Sequence, residues 1–192
     1  MITYRKYIYY GRIVMNILCF GDSNTYGYDP RDFFGGYYDK PWPQILAERA
    51  GWSIQNRGEN GREIPRCHVS FPKNINLLIT MLGTNDLLQG NSVETTTQRM
   101  ESFLQNIDLE KEKLLLIAPP SMKLGAWVST QSIVAASREL AYAYHDLSQR
   151  LGIRFVNADN WNIPLAFDGV HFTEDGHRAF ALALDQYLNK GD

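Results

Sequence analysis

Three residues of this chain have the types that nucleophilic hydrolysis requires: Ser23, Asp168 and His171. A serine hydroxyl is a poor nucleophile until a neighbouring base takes its proton. His171 can be that base. Asp168, three residues earlier in the stretch DGVH and within one turn of chain, can hold the imidazole in the needed tautomer and stabilise the imidazolium. Attack on a carbonyl then leaves a negative oxygen that needs fixed donors around it. The Ser23 backbone N–H, the N–H of a glycine in NRGENG (Gly58 or Gly61) and the side-chain amide of Asn85 in GTND can supply three. Each such donor is typically worth about 10² to 10³ in rate.

Each residue also has a plainer reading. A serine in a Gly-Asp-Ser turn is more often a helix N-cap than a nucleophile. Asn85 can brace a turn by bonding its own backbone. Asp168 and His171 can form a surface turn or half of a metal site, and Gly58 and Gly61 can serve backbone geometry alone. His68, His145 and His177 read as structural, since His145 lies within an amphipathic helical pattern, His177 opens another, and His68 sits in a poorly patterned segment. What favours chemistry is that four sets of residues with complementary roles fall at equivalent points of one architecture.

That architecture follows from the apolar runs. Residues 16–20, the short 53–56, NLLITML, KLLLIAPP and IRFVNA read as strands. Between them lie helical patterns. PWPQILAERAG has Pro43 near its start and Gly51 at its stop, SVETTTQRMESFLQNI has Ser92 as N-cap, and a long amphipathic stretch ends at Gly152. TEDGHRAFALALDQYLNK closes the chain. Strands alternating with helices predict an α/β fold, a three-layer α/β/α sandwich around a central, mostly parallel five-stranded sheet. Residues 15–192 then form one domain, preceded by an extension over 1–14 that reads as an edge strand or a frayed tail. In open α/β sheets ligands sit outside the carboxyl ends of the strands. The polar sets around Ser23, Gly58 to Gly61, Asn85 and His171 lie at such positions.

Composition narrows the partners. With 192 residues, 44% of them hydrophobic and 21% charged, the chain can bury a core without staples. A net charge of -2 and no run of Lys and Arg argue against nucleic acid, which leaves a small-molecule partner. Cys19 and Cys67 form no CxxC pair, and Cys19 inside an apolar run reads as a buried small hydrophobe. No apolar run reaches the roughly 18 residues of a membrane span. The N-terminal stretch, broken by Arg5, Lys6 and Arg12, lacks the apolar region of a secretion signal, so a cytoplasmic location is expected. Neither a phosphate loop nor a dinucleotide fingerprint occurs, and no metal or organic cofactor is expected, because a triad, a donor set and water complete the reaction.

GDSNTYG, NRGENG, GTND and DGVH resemble, in order and across residues 16–190, blocks I, II, III and V of the SGNH hydrolases, the GDSL-type esterases and lipases. The resemblance makes Ser23 the nucleophile, Asp168 the orienting acid and His171 the base, with Ser23, Gly61 and Asn85 as the oxyanion hole. The choice of Gly61 over Gly58 rests on it alone. Asn24 replaces the leucine of the family's short name, at a position read as outside the chemistry. Thr25 stands where the nucleophile elbow of α/β-hydrolases requires glycine. The segment from Gly61 to Asn76 is short, which trims the wall beside the second block.

Rings crowd the expected mouth. Tyr26, Trp127 and Trp161 are the candidates for a substrate pocket, with Tyr28, Phe33, Phe34, Tyr37, Tyr38 and Phe167 nearby, while Trp42 reads as packing. Such faces suit acyl chains, aryl groups or sugar rings. The expected activity is hydrolysis of small or short-chain acyl esters through an acyl-serine, an O-acetylated carbohydrate among the candidates. Acyl transfer, thioester or lysophospholipid cleavage would use the same residues. A silent carbohydrate-binding protein on this fold is the rival from another class.

Overall fold

A computed structural model describes residues 7–9, 12–32 and 35–189. Tyr7–Tyr9 (β1) and Arg12–Val14 (β2) pair antiparallel as a two-stranded sheet of their own and do not extend the central sheet. The central sheet starts with Asn16–Gly21 (β3), which leads through a short helix, Ser23–Tyr26 (α1), to the small antiparallel pair Tyr28–Asp29 (β4) and Gly36–Tyr37 (β5). Then come Trp42–Ala50 (α2), Ser53–Gly58 (β6), Leu77–Met81 (β7), Thr84–Leu88 (α3) and Val93–Gln105 (α4). Leu114–Ala118 (β8), Gln131–Leu151 (α5), Arg154–Asn157 (β9) and Glu174–Asn189 (α6) complete the chain.

The five strands β6, β3, β7, β8 and β9 form the sheet in that order, and each neighbouring pair is parallel. The expected α/β sandwich with a five-stranded sheet is what the chain adopts. Side chains alternate across the sheet, so each central strand feeds both cores. Leu18 and Phe20 of β3, Leu78 of β7 and Leu116 of β8 face α4 and α5. Ile17, Cys19, Ile79 and Ile117 face α2 and α6. This double burial is why the central strands read as unbroken apolar runs. Cys19 is fully buried, as expected, and burial pushes its thiol far up from the ordinary value.

Helix ends are also where the residues demanded them. Ser92 accepts the Thr95 N–H as N-cap of α4, Pro43 lies in the first turn of α2, and Gly51 closes it in the left-handed conformation. Among the described residues no helix is long and apolar enough to cross a membrane.

Candidate active site

At the carboxyl end of β3 the chain turns into α1, and the N-cap of that helix is Asp22, not Ser23. Asp22 Oδ1 accepts the Asn24 N–H at 3.0 Å. Ser23 is thereby the first helical residue, and its hydroxyl is not needed for capping. It is used elsewhere: Ser23 Oγ lies 3.0 Å from His171 Nε2. The other ring nitrogen, His171 Nδ1, lies 2.6 Å from Asp168 Oδ2. The second carboxylate oxygen, Oδ1, accepts the N–H groups of Val170 and His171 at 2.9 and 3.0 Å. Asp168 therefore has no rotational freedom, and it orders the turn that carries the imidazole. All three side chains are buried, Ser23 at 5% exposed, His171 at 2% and Asp168 at 0%.

The electrostatics agree with a carboxylate that stays ionised. Burial alone would raise the Asp168 carboxyl, but the His171 ring and the two amides outweigh it and bring it below the ordinary value. Asp22 shows the opposite balance. Its Oδ2 is buried without a partner among the described residues. Burial raises this carboxyl to about 6, against the Asn24 amide and the nearby charges of His171 and Arg62.

The oxyanion-hole candidates come from three strand ends. The Ser23 and Gly61 N–H groups donate to no acceptor among the described residues, so both are free for a ligand. Asn85, in the first turn of α3, donates one amide hydrogen to the Arg62 carbonyl at 3.1 Å, leaving the second hydrogen available. The two glycines of the second block have distinct duties. Gly61 sits at φ +72°, a left-handed turn, whereas Gly58 abuts the backbone of Thr25 and Tyr26 so closely that no Cβ fits.

Arg62, which the sequence reading passed over, knits these parts together. Its guanidinium lies 4.3 Å from the centre of the Phe20 ring, donates to the carbonyls of Gly21 (2.9 Å) and Arg57, and pairs with Glu59. A planar cation with several donors suits this bridging of strand ends.

Of the candidate pocket rings, Trp127 is brought to His171. The segment holding it is bonded to the turn that carries Asp168 and His171 by Lys123 N–H to Gly169 O, Ala126 N–H to Phe167 O and Trp127 N–H to Asp168 O, at 2.9, 3.2 and 3.0 Å. The Trp127 ring, half-exposed, meets His171 edge-on at 4.8 Å. Tyr28, not among the pocket candidates, tilts against the same imidazole at 4.6 Å. Tyr26 lies at the end of α1 and pairs with Tyr37 at 5.2 Å. Trp161 is turned the other way, its ring edge-on to Phe180 of α6 at 5.1 Å, because the short 3-10 turn Ala158–Trp161 directs it into the helical layer. Phe167 is largely exposed, and Phe33 and Phe34 lie outside the described residues. Trp42 is fully buried against Phe180.

The remaining histidines stand apart from the chemistry. His177 is fully buried, accepts the Trp42 N–H on Nδ1, and is driven down to about 3 mainly by burial. Among the described residues no group of three or more His, Cys, Asp or Glu could hold a metal ion.

Comparison with known proteins bears on the fold and the family. Over 92% of its length the chain superposes on 99% of an aryl esterase of M. smegmatis, with a TM-score of 0.79 and 22% identity. A provisionally named arylesterase from Agrobacterium tumefaciens str. C58 matches with a TM-score of 0.76 and 26% identity, covering 92% of this chain and 99% of that one. A carbohydrate acetylesterase family member from Sinorhizobium meliloti gives 0.75 and 22%, covering 92% and 98%. No curated protein matches the chain. The sequence model of one family, described as GDSL-like lipase/acylhydrolase, matches residues 19–179. The chain therefore belongs to the GDSL-like lipase/acylhydrolase family and is an ester-hydrolysing enzyme.

Proposed function

We propose that the enzyme cleaves small or short-chain acyl esters through an acyl-serine intermediate on Ser23. The observation that carries this reading is the unbroken contact chain from Ser23 Oγ to His171 (3.0 Å) and from His171 to Asp168 (2.6 Å). His171 Nε2 takes the hydroxyl proton as Oγ attacks the ester carbonyl, and Asp168 stabilises the imidazolium. The oxygen that becomes negative is received by the N–H groups of Ser23 and Gly61 and the free amide hydrogen of Asn85. His171 then gives the proton to the leaving alcohol, and a water activated by the same nitrogen releases the acid.

The alcohol departs on the His171 side, where Trp127 and Tyr28 present ring faces and edges. Flat, apolar-faced alcohols, aryl groups or sugar rings, are the substrates these walls suit. Two of its structural neighbours, an aryl esterase and a carbohydrate acetylesterase family member, belong to the same two classes. We place the enzyme in the cytoplasm on the strength of two unpaired cysteines, one of them exposed.

The test is hydrolysis of p-nitrophenyl esters from acetyl upward, with Ser23→Ala and His171→Ala beside the wild type. Turnover that collapses in both variants supports the reading, and activity that survives Ser23→Ala unchanged refutes it. Product analysis with an added alcohol separates hydrolysis from acyl transfer. Binding of a sugar ester without turnover of any ester would favour a silent binding protein instead.

A further inference from the structure

The residue after the nucleophile is where this chain departs from the leucine of its family's short name. Asn24 is buried, at 4% exposed. A leucine there could only fill space, whereas a buried carboxamide must find both an acceptor and a donor. It finds them on either side of the base. Asn24 Nδ2 donates to the Val170 carbonyl at 3.1 Å, and Asn24 Oδ1 accepts the Phe172 N–H at 2.8 Å. These partners immediately flank His171, 146 and 148 positions away in sequence.

The two halves of the triad need such a link. Asp168 holds the imidazole from within its own turn, so it fixes the ring relative to residues 168–171 and not relative to Ser23. The hydroxyl to imidazole contact is a single bond that must also make and break during turnover. The Asn24 carboxamide, on the residue next to Ser23, joins the two elements by bonds that take no part in proton transfer. Its own backbone is in turn held by Asp22 Oδ1.

We propose that Asn24 is a positioning residue, a two-point clamp that sets the separation and angle between Ser23 Oγ and His171 Nε2. This rests on the reading of those two residues as nucleophile and base. The reading of position 24 as outside the chemistry is accordingly replaced.

The experiment is a double-mutant cycle on p-nitrophenyl acetate with wild type, Asn24→Leu, His171→Ala and the double variant, each checked for folding by thermal melting. The inference expects Asn24→Leu to lower kcat by up to about 10²-fold, the scale of a misplaced reacting group, with KM little changed. It also expects the loss to vanish in the His171→Ala background, because a clamp acting through His171 has nothing left to position. A wild-type kcat in Asn24→Leu overturns it. So does a loss that persists undiminished without His171, which would mark a purely structural role. If Asn24→Leu does not fold, the same cycle is run with Asn24→Ala, which leaves room for a water between Val170 and Phe172. Should wild-type turnover prove independent of Ser23, the proposed function falls. Should it depend on Ser23 yet ignore Asn24, this inference alone falls.

Discussion

Gly58→Ala isolates the fit between the second block and the helix that begins with Ser23. A Cβ built on Gly58 lies 2.1 Å from the Tyr26 nitrogen, 2.5 Å from the Thr25 carbonyl carbon and 2.6 Å from the Tyr26 Cα. All three are backbone atoms, so no side chain can swing aside. Ordinary contact begins near 3.4 Å, and alanine therefore requires β6 and α1 to part by about 1.3 Å. That movement strains the 2.8 Å bond from Asn56 Nδ2 to Thr25 O and carries Ser23 with the helix. Overpacking of this kind costs about 1 to 3 kcal/mol, and a shift of about 1 Å at a reacting atom costs about 10²-fold in rate. Thermal melting and p-nitrophenyl acetate kinetics read the two effects separately. Gly61→Ala is the control. Nothing lies within 4 Å of its Cβ, so only the positive φ is penalised, at about 1 to 2 kcal/mol. The backbone N–H at position 61 survives that substitution, so kcat should fall much less than in Gly58→Ala. A wild-type kcat in Gly58→Ala, or a greater loss in Gly61→Ala, would refute the reasoning.

Four further outcomes are expected. Asp22 binds its proton more tightly folded, at about 6, than unfolded, at its ordinary value of 3.8. Its contribution is therefore fully present below about pH 4 and lost as pH rises through 6, by at most about 3 kcal/mol. Asp22→Asn should raise the melting temperature at about pH 7 and not at about pH 4, and an equal gain at both would contradict this. Arg62→Ala removes charged hydrogen bonds to two strand-end carbonyls, costing about 2 to 3 kcal/mol. It should also lower kcat, since the guanidinium anchors the segment whose residue-62 carbonyl orients Asn85; Arg62→Lys should recover little of either in denaturant melts and kinetics, because one ammonium cannot span both carbonyls. Trp127→Ala should lower kcat/KM for aryl acetates by up to about tenfold, the scale of one ring contact, with less effect on alkyl acetates; uniform loss across the series would argue against an alcohol-side wall. Removing residues 1–14 should leave the melting temperature nearly unchanged, because β1 and β2 pair with each other and the central register begins at Asn16; a large drop would tie that segment to the core.

The central strands were legible for a physical reason. β3, β7 and β8 are covered on both faces, so nearly every residue in them is apolar and the run stands out by itself. The edge strand β6, none of whose residues is buried, extends beyond the short apolar hint that marked it. Helix α1, four residues long, has no periodicity to read. The same difference applies within the site. Asp168 and His171 are three residues apart and share one turn, so their partnership is local and their spacing announces it. Asn24 and Phe172 are 148 positions apart, and no pattern in either neighbourhood says that they touch. The rings divide likewise: Trp127 and Trp161 look equivalent along the chain, yet backbone bonds to the Asp168–His171 turn put one against His171, and a 3-10 turn sends the other to Phe180. Sequence alone determined the fold class and the ester-hydrolysing family, because these show in periodicity and in short ordered motifs, and it put forward Ser23, Asp168 and His171 as the candidate reacting residues. Which buried polar group bridges the Ser23 helix to the His171 turn, which glycine abuts that helix and which ring reaches His171 were decided only by tertiary packing, where the contacts join elements that the chain holds far apart.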